Sequence, residues 1–329
     1  MNAPTRKLWA VLFILAISLS ACAPAAAPTP ALTPITVQLR WTHQAQFAGF
    51  YAADANGYYA AEGIAVKFIE GGPNIDIPQP VIEGAAQFGI VNAETLILAR
   101  AENKPVCALA TIYRRSPAVF FALAESGIKR PQDFIGKKVR VTTTTEAMLR
   151  AMMQRVGIAP SQYTEVKIAD ILAPLYAGEI DVTSGFITNE VIRARNAGYQ
   201  LNLIYPDDYG IHFYADTLFT TDALMASDPD LVRRFLRATL KGWTYAVENP
   251  TQVAPIVLHY NPKADTTHET AFMTASIPLV NTGEDHIGWM KPEIWAGMEK
   301  TLREQDVLTR PVDVTQVYTM QFLKEIYGK

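Results

Sequence analysis

The sequence predicts an α/β protein whose chain forms two lobes with a hinged cleft. Three observations support this: strand-like and helix-like segments alternate along the chain, a fresh alternation begins at Gly136, and the residues after 220 are almost wholly helical. Alternation of this kind forms a mostly parallel sheet with helices on both faces. Such sheets present the carboxyl ends of their strands to a cleft.

Residue type and period predict each element. β-Branched residues indicate a strand at 35–39, and an apolar helical period indicates a helix at 46–55. Further strands are predicted at 65–69, 88–91, 106–113 and 118–123, with helices at 77–86 and 93–101. A second α/β run occupies 138–204 and ends before a helical tail.

Two crossings between the lobes follow from this order of elements. We place them near 127–136 and 206–221, where turn residues interrupt the pattern. Residues 35–130 and 215–329 are therefore predicted to form the first lobe and 131–214 the second.

Composition excludes several classes of function. The 329 residues are 49% hydrophobic and 19% charged, which suits a folded chain with one large core or two ordinary ones. A net charge of -3 argues against a nucleic-acid partner. Five His and two Cys are too few and too scattered for a zinc module or disulfide scaffold. With no glycine-rich phosphate loop, nucleophile elbow or His-Glu-x-x-His run, we expect no metal and no cofactor.

The N-terminus has the pattern of an export signal. Arg6 and Lys7 precede an apolar run at 8–19, which is shorter than the roughly 20 residues that span a bilayer. The run ends in Leu-Ser-Ala-Cys, which resembles a bacterial lipobox with Cys22 as the lipidated residue. We predict a signal peptide at 1–21, a proline-rich linker at 22–34, and a lipid-anchored protein on the extracytoplasmic face of the cell membrane. A simple secretory signal with an incidental Cys is the alternative.

Three blocks of residues resemble one known family. Residues 41–51 read Trp-Thr-His-Gln-Ala-Gln-Phe-Ala-Gly-Phe-Tyr, Asn189-Glu190 follow Gly185-Phe186, and a third block spans 208–220. These resemble the substrate-binding proteins related to the thiamine-pyrimidine synthesis family. The resemblance implies a type II periplasmic-binding-protein fold and a solute receptor that delivers a small molecule to an ABC-type membrane permease. We expect it to act as a monomer.

Departures from the family pattern bear on the ligand. Phe47 stands where the fungal synthases of the family carry the His that they are thought to consume, and their cysteine cluster is absent. The resemblance therefore implies a binding protein and not an enzyme. Known relatives in the family that the chain resembles bind thiamine pyrimidine precursors or, in a lipoprotein branch, riboflavin. An aromatic residue in place of His suits the larger flat ring better, so the resemblance implies riboflavin as the ligand. A thiamine pyrimidine precursor is the alternative, and an exported pyrimidine-metabolising enzyme is the third.

Candidate binding residues are of two kinds. The predicted ring contacts and neighbours in the matching blocks are Trp41, Gln44, Phe47, Tyr51, Phe186, Tyr209 and Tyr214. The predicted polar contacts at strand-to-helix junctions are Asn92, Glu94, Thr143, Thr144, Asn189 and Glu190. Each polar residue has an alternative role as a helix cap or first-turn acid. Aromatic residues at helical spacing, Tyr51 among them, have an alternative role in the core.

Overall fold

Two five-stranded sheets organise the part of the chain that the computed structural model describes, which is residues 31–72 and 75–329 without the side chains of Thr143 and Thr144. The strands are β1 (Thr33–Gln38), β2 (Ile64–Ile69), β3 (Phe88–Asn92), β4 (Val106–Thr111), β5 (Ala118–Leu123), β6 (Lys138–Arg140), β7 (Thr164–Val166), β8 (Val182–Phe186), β9 (Leu201–Ile204) and β10 (Asp216–Thr221). The predicted signal peptide, Cys22 and linker residues 22–30 lie outside the described residues.

Helices cover both sheets. They are α1 (Ala48–Ala55), α2 (Tyr58–Ala61), α3 (Pro78–Ile82), α4 (Ala93–Ala101), α5 (Thr143–Arg155), α6 (Ala173–Tyr176), α7 (Glu190–Asn196), α8 (Asp222–Ser227), α9 (Pro229–Glu248), α10 (Val253–Tyr260), α11 (Thr266–Val280), α12 (Pro292–Glu304) and α13 (Gln321–Tyr327). No helix among the described residues combines the length and the apolar character needed to cross a bilayer.

The two sheets share one strand order. The first runs β2-β1-β3-β10-β4 and the second β7-β6-β8-β5-β9. In each sheet four of the five strands are mutually parallel, and the remaining one, fourth in the order, is antiparallel to both of its neighbours. That antiparallel strand is β10 in the first sheet and β5 in the second. In both sheets it is the first strand that the chain forms after leaving the other sheet. Strands β3 and β8 therefore occupy equivalent places.

The first crossing lies earlier than the sequence predicted. Strand β5 was assigned to the first lobe, but it pairs with β8 and β9 in the second sheet. The chain thus crosses between Thr111 and Ala118, and not near 127–136. The second crossing, between Ile204 and Asp216, falls within the region predicted for it. The sheet that a strand joins depends on contacts that are distant in sequence. The residues of β5 alone therefore did not indicate which sheet it would join.

Alternate residues of β5 contact different hydrophobic clusters. Phe120 belongs to the large cluster that continues into the first sheet, whereas Val119 and Phe121 belong to a smaller cluster beneath α6 and α7. This is the two-residue period of a strand covered on both faces. The buried apolar run of β5 follows from that position.

Helices α1 and α9 pack closely because two glycines lie at their contact. A Cβ atom built on Gly242 would lie 2.1 Å from the carbonyl oxygen of Gly49, and one built on Gly49 would lie 2.1 Å from the Trp243 ring. Helix α9 begins after Asp228, whose carboxylate accepts the N–H of Leu231 at 3.0 Å. The apolar face of α9 is buried against α1.

One carboxylate links the two crossings. Asp207 of the second crossing accepts hydrogen bonds from Arg115 of the first crossing and from His212 Nδ1, each at 2.5 Å. Burial acts to raise the pKa of Asp207, but the hydrogen bonds from His212 and Arg115 outweigh it and hold that pKa below its ordinary value. The preceding residue, Arg114, turns the other way and pairs with Asp285 at 2.8 Å.

Candidate ligand-binding cleft

The two lobes meet at the carboxyl ends of β1 and β8. Arg40, two residues after β1, places its guanidinium carbon 5.6 Å from the centroid of the Phe186 ring at the end of β8. Nearby, Nε2 of His268 in the first turn of α11 lies 3.1 Å from Oδ1 of Asn189, which precedes α7. The strand ends of both sheets therefore line one cleft, as expected for open α/β sheets.

A buried carboxylate organises the first-lobe side of this cleft. Asp216, at the start of β10, is 1% exposed. Gln46 Nε2 donates to its two oxygens at 2.8 and 3.0 Å, and Arg40 donates at 3.2 Å. Gln44 in turn donates to Gln46 Oε1 at 2.6 Å. Burial raises the pKa of Asp216, and the charge of Arg40 opposes that shift.

Asn92 lies beside this cluster without joining it. It ends β3 directly opposite Asp216, so the two side chains share one face of the sheet. Asn92 is 6% exposed, and its Oδ1 has no hydrogen-bond partner among the described residues. Although Asn92 precedes α4, its side chain makes no capping bond to that helix. The alternative role as a cap is therefore not what the structure shows.

The second-lobe side of the cleft is built around Glu190. Its carboxylate accepts the backbone N–H of Phe186 at 2.8 Å and the side-chain amide of Asn189 at 3.1 Å. Burial raises the pKa of Glu190, and the hydrogen bond from Phe186 limits the shift. Gly185 permits this arrangement, since a Cβ there would lie 3.0 Å from the Glu190 side chain.

Thr142 and Thr145 form a capping box at the start of α5. Thr142 Oγ1 accepts the N–H of Thr145 at 3.2 Å, and Thr145 Oγ1 accepts the N–H of Thr142 at 2.9 Å. Thr145 also contacts Ser184 Oγ at 2.9 Å, which ties the helix to β8. The side chains of Thr143 and Thr144 lie outside the described residues, so their role as ligand contacts stays a prediction.

More than half of the chain matches the model of a known protein family. The family model described as NMT1/THI5 like matches residues 44–253. The chain belongs to the NMT1/THI5-like family. The resemblance found in the sequence is thereby confirmed.

Three known proteins are similar to most of the chain. Riboflavin-binding protein RibY of Chloroflexus aurantiacus is 28% identical, over 92% of this chain and 91% of that protein. A 4-amino-5-hydroxymethyl-2-methylpyrimidine phosphate synthase of Legionella pneumophila is 24% identical over 88% and 92%. The formylaminopyrimidine-binding protein of Halalkalibacterium halodurans is 27% identical over 86% and 88%.

A solved structure confirms the predicted fold. The periplasmic aliphatic sulphonate binding protein SsuA of Escherichia coli superimposes with a TM-score of 0.71 over 88% of this chain and 92% of that one, at 13% identity. The chain therefore has the two-lobed α/β fold of periplasmic binding proteins.

The predicted polar residues of this family member lie close to the cleft. Asn92, Asn189 and Glu190 are at the strand-to-helix junctions described above, and Gln44 is linked to Asp216 through Gln46. The Phe186 ring contacts the Arg40 guanidinium of the other lobe. Glu94 is buried in the first turn of α4. Direct contact of any of them with a ligand stays a prediction.

Two of the predicted aromatic residues are buried in the core. Tyr51 is fully buried, with its ring stacked on Tyr260 at 4.1 Å between centroids and its hydroxyl 2.6 Å from His43 Nδ1. Phe47 is also fully buried and meets Tyr51 edge-on. Both therefore occupy the core role that helical spacing left open, because that spacing does not show which face is covered.

The remaining aromatic predictions differ from one another in position. Trp41 is 36% exposed just beyond β1. Tyr214 is buried against Trp295, and its hydroxyl accepts the N–H of Lys291 at 2.9 Å, so it packs on the helical part of the first lobe. Tyr209 is half-buried in the second crossing.

The sequence did not single out four residues of the cleft: Arg40, Gln46, Asp216 and His268. For Asp216 a signal existed, since one acid stands within the largely apolar segment 213–219, which runs into β10. An acid buried in a strand requires partners, which indicates a polar site. The other three were on loops or helix starts, where polar residues are common.

Glu269, next to His268, gives this region a pH-dependent stability. It is buried and accepts the N–H of Ala45 at 2.6 Å, which fixes the segment that carries Gln46. Burial raises the pKa of Glu269, so the folded protein binds a proton more tightly there than the unfolded chain does. Its contribution to the free energy of unfolding is therefore greatest at low pH and decreases as pH rises through the raised pKa.

We expect Glu269→Gln to remove this dependence, because the amide oxygen still accepts from Ala45 and carries no charge. In thermal melts, the loss of stability as the pH rises from about 4 should be smaller in the variant than in the wild type. Glu125→Gln, at an exposed position, should keep the wild-type pH profile. Identical profiles for all three proteins would contradict the role given to Glu269.

Proposed function

We propose that this protein is the extracytoplasmic, lipid-anchored solute receptor of an ABC importer and that it captures riboflavin between its two lobes for delivery to the membrane permease. The observation that carries the proposal is the 28% identity with a riboflavin-binding protein over 92% of the chain, together with a cleft at the strand ends. The ligand is bound and released without chemical change.

The cleft residues suit a flat and neutral ring. Phe186 supplies an aromatic face and Arg40 a planar guanidinium, and both groups stack on heterocycles. The carboxylates of Asp216 and Glu190 are already occupied by protein donors. These two groups therefore already have protein donors, and a neutral ring needs no counter-charge from them.

A thiamine pyrimidine precursor is the second candidate ligand. It is supported by the similarity to a formylaminopyrimidine-binding protein, which covers 86% of the chain. The similarity to a synthase gives weaker support, to an enzyme. Phe47 stands where the fungal synthases of the family carry the His that they are thought to consume, and their cysteine cluster is absent from this sequence.

Calorimetric titration of residues 31–329 with riboflavin, hydroxymethylpyrimidine and formylaminopyrimidine tests the proposal. We expect heat of binding with riboflavin, and recovery of unmodified riboflavin by mass spectrometry afterwards. Saturable binding of a pyrimidine but not of riboflavin would replace the first candidate by the second. A mass change in any of the three compounds would show an enzyme.

Phe186→Leu is expected to weaken riboflavin binding about 2- to 10-fold, because stacking contributes about 0.5–1.5 kcal/mol beyond buried area. Quenching of flavin fluorescence measures the affinity. Phe121→Leu is the matched control, since Phe121 is fully buried in the second lobe and away from the cleft. It should lower stability while leaving affinity unchanged. Equal affinity in the wild type and Phe186→Leu would remove Phe186 from the site.

Lipid anchoring has a separate test in the full chain. If Cys22 is the lipidated residue, Cys22→Ser should move the protein from the membrane fraction to the medium or periplasm of the expressing cells, since no acyl chain can then be attached. Cys107→Ser is the control, because that thiol is buried in β4. Membrane association of Cys22→Ser equal to that of the wild type would contradict the lipid anchor.

A further inference from the structure

The cluster on the first-lobe side of the cleft contains one hydrogen-bonding group that the protein leaves unused. Asp216 accepts at both oxygens, and Gln46 donates to Asp216 and accepts from Gln44. Asn92 Oδ1, opposite Asp216 in the register, accepts from no described residue although it is buried. A buried amide oxygen without a donor is costly, so such a group at a cleft indicates a donor that arrives with a ligand.

Arg40 supplies the complementary chemistry. A guanidinium has five N–H groups, and the described contacts of Arg40 use one of them, for Asp216. Its side chain lies partly exposed over Phe186, so it is within the cleft. The cluster therefore offers an acceptor on Asn92 and donors on Arg40, while both oxygens of Asp216 already accept from protein donors.

We propose that Asn92 Oδ1 accepts a ring N–H of the bound heterocycle while Arg40 donates to the neighbouring ring carbonyl. The ligand class is a planar ring with a neutral lactam or imide edge, which the isoalloxazine of flavins carries at N3–H and its flanking carbonyls. The inference rests on the proposed function, since it assumes that a flat heterocycle occupies the cleft. Asp216 acts as a positioning residue that fixes the guanidinium of Arg40.

The same cluster disfavours an aminopyrimidine. Such a ring is best held by a free carboxylate, which accepts from the amino group and stabilises a proton on the ring nitrogen. Asp216 Oδ1 accepts from Gln46 and Arg40 and Oδ2 accepts from Gln46, so this carboxylate is directed at protein donors. An amide oxygen on Asn92 gives no charge stabilisation, so the geometry favours the neutral edge.

Riboflavin and 3-methylriboflavin form the ligand pair that tests this proposal, because methylation at N3 replaces the ring N–H by a methyl group that cannot donate. We expect the wild type to bind 3-methylriboflavin at least about 10-fold more weakly than riboflavin. Asn92→Ala should bind riboflavin about 10-fold more weakly than the wild type and discriminate between the two flavins by less than about 2-fold. Asn189→Ala, on the other lobe, should keep the wild-type ratio.

The outcomes separate the two proposals. Equal affinity of the wild type for the two flavins, or an unchanged ratio in folded Asn92→Ala, overturns the assignment of Asn92 while riboflavin binding stands. Binding of neither flavin overturns the riboflavin proposal and this inference together. Equal affinity of the wild type for the two flavins overturns the assignment even if Asn92→Ala does not fold.

Discussion

Replacing Asp216 by alanine is expected to lower the free energy of unfolding by about 3 kcal/mol and to abolish tight ligand binding. The change leaves the buried amide of Gln46 without its acceptor and the guanidinium of Arg40 without its counter-charge. Removing one partner of a buried ion pair costs several kcal/mol, because the other partner stays desolvated. Urea denaturation followed by circular dichroism measures the stability, and flavin quenching measures the affinity.

Two variants test this prediction. Asp216→Asn keeps one oxygen that accepts from Gln46, so it should lose less stability than alanine. Asp222→Ala breaks an ion pair with Arg100 just after the far end of the same strand, where the carboxylate is 44% exposed. Exposed pairs contribute about 1 kcal/mol or less. Equal losses for Asp216→Ala and Asp222→Ala would contradict the organising role of Asp216.

Gly242→Ala is expected to destabilise the first lobe by about 3 kcal/mol, although alanine is the better helix former. The added Cβ would lie 2.1 Å from the carbonyl oxygen of Gly49 and 2.6 Å from the Cβ of Ala53, so α1 and α9 must move apart. Overpacking against backbone typically costs about 1–3 kcal/mol and exceeds the helix gain of roughly 1 kcal/mol. The midpoint of urea unfolding reports the loss.

Gly297→Ala is the matched control within α12. A Cβ at Gly297 meets no atom within 4 Å, so this change should be neutral or stabilise by up to about 1 kcal/mol. If Gly242→Ala were as stable as Gly297→Ala, the close contact between α1 and α9 would not be a feature of the protein in solution.

Local patterns predicted the elements well and their pairing less well. Helix α4 was predicted and found at Ala93–Ala101, and β5 at Ala118–Leu123. Composition and period determine such elements within a few residues of chain. The sheet that receives β5 depends on contacts with β8 and β9, which lie about 60 or more residues later in the sequence. No local signal marks that choice, which is why the first crossing was misplaced.

Some residues of the cleft could likewise be predicted from local sequence, and others could not. Strand-to-helix junctions identified Asn92, Asn189 and Glu190, because the carboxyl ends of strands in α/β sheets are ligand positions whatever their sequence. Arg40 and Asp216 gain their importance only from each other, across a separation of 176 residues. The burial of Tyr51 likewise depends on Tyr260, which α10 brings over it.

The crystal structure of residues 31–329 with riboflavin tests most directly the claim that the two lobes bind a flat neutral ring at their strand ends. We predict the isoalloxazine against the Phe186 ring, its N3–H within hydrogen-bond distance of Asn92 Oδ1, and an unmodified ligand. Density for riboflavin only outside the space bounded by Arg40, Asn92, Phe186 and Asn189 would contradict the account.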